Sequence, residues 1–61
     1  MRDAGIKTLT IPIGTSLREI EKLVIEATLL YTDGNVSAAA RLLGIDRSTL
    51  HKKINLYKLP H

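Results

Sequence analysis

Sixty-one residues allow one domain at most, and a chain this short buries little apolar surface per residue. The absence of cysteine excludes disulfides, and two histidines (His51 and His61) with no thiolate leave a zinc site without a ligand set. The net charge of +3 is unevenly placed. Residues 1–34 hold four basic and five acidic side chains, whereas residues 35–61 hold five basic and one acidic. That imbalance points to a polyanionic partner for the second half. Self-association is left as the expected source of further buried area. No apolar run is long enough for a secretory signal or a membrane span, so a soluble, cytoplasmic protein that makes no membrane contact is expected.

Residues 1–14 are read as a linker or extended arm. Within them, Leu9, Ile11 and Ile13 alternate, and Pro12 restricts this stretch to an extended segment or an edge strand. It would lie across a helix surface or pair with its copy in a second chain. The remainder, residues 15–61, forms the folded unit. Ser16 followed by Glu19 is a capping box, and Gly34 is a plausible stop, which predicts a first helix over about 17–32. At about 100° per residue, Leu17, Ile20, Leu23, Val24, Ala27, Leu30 and Tyr31 share one broad stripe, read as ordinary core. Ile25 and Leu29 fall on another face, beside Arg18 and Lys22. They are either scattered surface residues, a surface covered by the Leu9–Ile13 segment, or a seam against a second subunit. The shortage of core favours the seam, so Ile25, Leu29, Arg18 and Lys22 are the expected dimer interface.

A helix-turn-helix is predicted over about 35–58. Asn35 is a favourable N-cap for a helix over Val36–Leu43, whose Ala38, Ala39 and Ala40 permit a close helix crossing. Gly44 permits the left-handed turn, and Ile45 plugs the core beneath it. Asp46 then caps a third helix running to about Tyr57, with Leu50, Ile54 and Tyr57 inward and Leu59-Pro60 as its stop. Its opposite face carries Ser48, Lys52 and Asn55, flanked by His51 and Leu56.

Such a helix places side chains in the DNA major groove. Arg47, in its first turn, can bond guanine O6 and N7 together, and Lys52 and Ser48 are candidate base contacts further along. Asn35, Ser37, Thr49, Lys53 and His51 are candidate phosphate contacts. Asp46 is expected to turn its carboxylate to the helix amides; the alternative is to accept from a cytosine amino group. No acid pair, activated nucleophile, metal cluster or phosphate-binding glycine loop is present, so neither an enzyme nor a cofactor is expected.

Gly34-Asn35, Ala39-Ala40, Leu43-Gly44-Ile45, Arg47, Thr49-Leu50, Lys53 and Tyr57 together resemble the Fis-type DNA-binding domain that closes the NtrC class of bacterial enhancer-binding activators. The upstream IPIGTSLREIEKLVIEATL resembles the segment preceding that motif, and the likeness covers roughly residues 9–59. The resemblance implies a small all-α fold, dimeric through its long first helix, that binds a palindromic enhancer as a homodimer. It also implies a parent activator working with RNA polymerase that carries the nitrogen-type alternative sigma factor. Two alternatives stand beside this: a dimerisation module of a larger regulator, and a free-standing Fis-like nucleoid protein that bends DNA. At Asp46 the nucleoid protein has asparagine, which speaks against a base contact there; at His51, Asn55 and Leu56 it carries cations, which implies weaker nonspecific affinity here.

Overall fold

The computed structural model describes residues 8–60; the tail expected over residues 1–7 and His61 lie outside the described residues. Three helices follow in order, α1 over Leu17–Tyr31, α2 over Val36–Leu43 and α3 over Arg47–Tyr57. Each starts where a capping residue stands. Ser16 Oγ accepts from the Glu19 N–H at 3.1 Å, and Asn35 Oδ1 accepts from the Ala38 N–H at 3.0 Å, satisfying amides that have no partner within the helix.

The helix ends share one device. Beyond α1, the Gly34 N–H donates to Leu29 O at 2.8 Å and the Asp33 N–H to Leu30 O at 3.1 Å. Beyond α2, Ile45 donates to Ala40 O at 3.1 Å, and beyond α3, Leu59 donates to Ile54 O at 3.0 Å. Each bond needs a left-handed residue just before or at the turn, and Asp33 (φ 59°), Gly44 (φ 75°) and Lys58 (φ 56°) supply it. The expected stop at Gly34 is thus one step late: Thr32 caps α1, and Asp33 takes the left-handed conformation ahead of Gly34. Ile45 and Leu59, the residues carried inward by these turns, pack on the core.

That core consists of Ile25 and Leu29 from α1, Ala39 and Ala40 from α2, Leu50 and Ile54 from α3, and Leu59. α2 lies between the other two helices and packs against both. Its alanines leave space for the larger side chains of α1 and α3 to meet over them. Val36, Leu43, Ile45 and Tyr57 close the rim.

The two faces of α1 are the reverse of the expected arrangement. Ile25 and Leu29, expected at a subunit seam, are each 3% exposed and lie inside the monomer. Within the stripe read as core, Leu17 is 84%, Leu30 71% and Tyr31 60% exposed, while Ile20, Leu23, Val24 and Ala27 are half-buried. Arg18 lies on the core side of α1 and turns its guanidinium over the Tyr57 ring, 5.6 Å from the centroid. The physical reason is the partner: two large residues suffice to fill the space above Ala39 and Ala40, so the wider stripe is left outside.

Thr8–Ser16 forms no strand. The Pro12 carbonyl accepts from both the N–H (3.2 Å) and the hydroxyl (2.7 Å) of Thr15, which makes a turn and ends any alternation. Thr8 and Leu9 border a shallow groove with Ala27, Thr28 and Tyr31 of α1 and Leu42 and Leu43 of α2. Ile13 is fully exposed. Among the described residues no helix is long and apolar enough to cross a membrane.

Candidate nucleic-acid interface

α2, the Gly44 turn and α3 form the helix-turn-helix. Leu50 and Ile54 are fully buried, which fixes the rotation of α3 about its own axis. The opposite edge then faces solvent: Ser48, Lys52, Asn55 and Leu56 are exposed there, Thr49, His51 and Lys53 are half-buried on the flanks, and Arg47 is exposed at the N-terminal end of the helix. The cationic residues Arg47 and Lys52 have no ion-pair partner among the described residues. Asn35 and Ser37, at the start of α2, are exposed as well. Asn35 uses its amide oxygen as the cap, so its amide nitrogen is what it can offer to a phosphate.

Two expected site residues behave differently. Asp46 holds the N-cap position of α3 with extended backbone (φ −67°, ψ 149°), and its carbonyl accepts from the Leu50 N–H at 3.0 Å. Its side chain, however, makes no capping hydrogen bond, so the carboxylate expected on the helix amides stays exposed beside Arg47. Lys53, expected to face a phosphate, pairs instead with Glu21 of α1, Nζ to Oε2 at 2.8 Å. On the wheel of α3 it stands toward α1, away from the edge that carries Ser48 and Lys52.

Glu21 was not singled out by any sequence signal. Its second oxygen, Oε1, accepts from the Tyr57 hydroxyl at 2.5 Å, so one carboxylate ties two residues of α3 to α1. Hydrogen bonding to Lys53, then to Tyr57, holds the Glu21 carboxyl below its ordinary value. The same hydrogen bonds raise Lys53 and Tyr57 above theirs. The partners lie 32 and 36 positions apart in the chain, out of reach of any local pattern.

A family model described as "Bacterial regulatory protein, Fis family" matches residues 16–57, which take in all three helices. A "Signal-transduction and transcriptional-control protein" of Clostridium beijerinckii is 48% identical over 44 residues, 72% of this chain and 7% of that protein. "DNA-binding protein Fis" of Buchnera aphidicola is 43% identical over 44 residues, 72% of this chain and 45% of that protein. "DNA-binding protein Fis" of Mannheimia haemolytica is 46% identical over 41 residues, 67% of this chain and 42% of that protein. The chain therefore spans less than half the length of these relatives. No solved structure matches it. With capped helices, glycine turn and cationic edge all inside the matched span, this chain belongs to the Fis family of bacterial regulatory proteins, whose helix-turn-helix modules are not catalytic.

Proposed function

We propose that the chain binds double-stranded DNA with sequence preference, as a homodimer, by laying α3 in the major groove. The observation that carries this reading is the rotation of α3: Leu50 and Ile54 are buried, Ser48 and Lys52 stand exposed on the far edge, and Arg47 is exposed in the first turn. Arg47 reads guanine; Lys52 and Ser48 extend the readout. Asn35, Ser37, Thr49 and His51 sit along the phosphates. Asp46, whose carboxylate is not used by the helix, is the candidate acceptor for a cytosine amino group next to the guanine. Such a ligand places the chain in the cytoplasm.

The homodimer rests on the exposed stripe of α1. Leu17, Leu30 and Tyr31, with half-buried Ile20, Val24 and Ala27 between them, repeat at three and four residues along one face. A second copy would remove this face from water at about 25 cal/mol per Å² of apolar area, a gain that a domain of this size needs.

The names of the relatives weigh toward a Fis-like DNA-binding protein ahead of an enhancer-binding activator. A second reading, the DNA-binding part of a large regulator, is favoured by the 48% identity to the Clostridium protein named for transcriptional control. Its narrower form, an NtrC-class activator whose parent contacts polymerase with the alternative sigma factor, rests on the sequence resemblance over residues 9–59 alone.

Selection of bound sites from random duplexes, followed by gel shift, tests the reading. A recurrent palindrome that random DNA cannot displace is the expected outcome. Random DNA competing as well as any selected site would remove sequence preference and leave the DNA-bending alternative.

A further inference from the structure

Lys53, half-buried on the flank of α3, is the cation of that helix that is paired within the protein. Its ammonium is 2.8 Å from Glu21 Oε2, and Glu21 is itself anchored through Oε1 by the Tyr57 hydroxyl. The Arg18 guanidinium lies over the Tyr57 ring, 5.6 Å from its centroid, and steadies that side chain. An ordinary surface ion pair contributes little because two long side chains must be ordered together. Here one partner is already fixed by a third residue, so holding Lys53 costs only the ordering of Lys53. Both oxygens of Glu21 are in use, in the manner of a phosphate meeting a lysine and a hydroxyl donor.

We propose that Glu21 is an internal stand-in for a DNA phosphate, holding Lys53 against α1 and withholding that charge from the backbone of bound DNA. The inference rests on the DNA-binding reading above. Its consequence is a lower sequence-independent affinity: a lysine already neutralised within the protein releases no counterion on binding. The edge that reads bases, Arg47 and Lys52, is untouched by the pair. Glu21 is therefore a residue that limits phosphate affinity while leaving base readout to α3. Because competing nonspecific sites outnumber true sites by orders of magnitude, such a limit matters for finding a target.

The test is a salt series of binding titrations on a selected palindrome and on a random duplex, using wild type, Glu21→Gln, Lys53→Ala and the double variant. Glutamine keeps an oxygen for the Tyr57 hydroxyl and removes the charge, and circular dichroism checks the fold. For Glu21→Gln, the slope of log K against log salt should steepen by about 0.9 per protomer, about 1.8 per dimer. Between 50 and 200 mM salt that variant then loses about 12-fold more affinity than wild type, on both duplexes alike. Lys53→Ala should leave the wild-type slope unchanged and should abolish the gain in the double variant. A Glu21→Gln slope equal to wild type overturns the inference. So does a shallower slope for Lys53→Ala alone, a result that stands even if Glu21→Gln does not fold. Wild type that binds no DNA fails the proposed function itself, whereas wild type that binds with either contrary slope fails only this inference.

Discussion

Arg47→Ala is expected to erase the preference for guanine at one position of each half-site while leaving the fold intact. Arg47 is exposed, opens α3 and has no ion-pair partner among the described residues, so its removal costs the protein no packing. A bidentate arginine–guanine contact discriminates by about 1–3 kcal/mol, roughly 5- to 150-fold per half-site, and a palindrome contains two. Gel shifts on the selected palindrome and on its guanine-substituted versions measure it. Wild type should lose affinity when the guanine is changed, and the variant should not distinguish the two duplexes. Equal weakening on every sequence would move Arg47 to the phosphate backbone.

Leu29→Lys should unfold the chain, and Leu30→Lys should not, although the positions are neighbours. Leu29 is 3% exposed in the core between α1 and α2, with no carboxylate in the core to meet an ammonium. Leaving a charge there unpaired costs about 3–5 kcal/mol or more. The whole stability of a domain this size is on the order of 3–9 kcal/mol. Leu30 is 71% exposed on the apolar stripe, where lysine disturbs only the proposed seam. Circular dichroism should show Leu29→Lys without a cooperative transition. Leu30→Lys should keep one, at lower temperature, and should sediment as a monomer. A folded Leu29→Lys that merely loses its partner would restore Ile25 and Leu29 to a subunit interface.

These two neighbours also mark where sequence reading stops. The helix starts were legible because their signals are local: Ser16 and Asn35 bond amides three residues on. The turn was legible because Gly44 meets a conformational demand of the backbone. α3 was legible because three of its four large apolar residues, Leu50, Ile54 and Tyr57, fall on one edge and, Leu56 apart, its remaining positions are polar. α1 has apolar residues on two faces, and periodicity alone cannot say which face belongs to the monomer. The deciding fact is tertiary, namely that Ile25 and Leu29 share one core with Ala39 and Ala40 of α2. Asp46 and Lys53 were placed at the right positions on the helix, but their side-chain partners depend on packing. For Asp46 the helix amides go unused by its carboxylate, and for Lys53 a carboxylate on α1 intervenes. The left-handed Asp33 and Lys58 likewise carry no glycine to announce them.

Methylation interference on the selected palindrome tests the orientation of α3 most directly. Guanine N7 lies in the major groove and adenine N3 in the minor groove, so methylating each reports on one groove. Wild type should be blocked by N7 methylation at one guanine in each half-site, and Arg47→Ala should no longer sense it. Binding that ignores guanine N7 and is blocked at adenine N3 would contradict an α3 seated in the major groove.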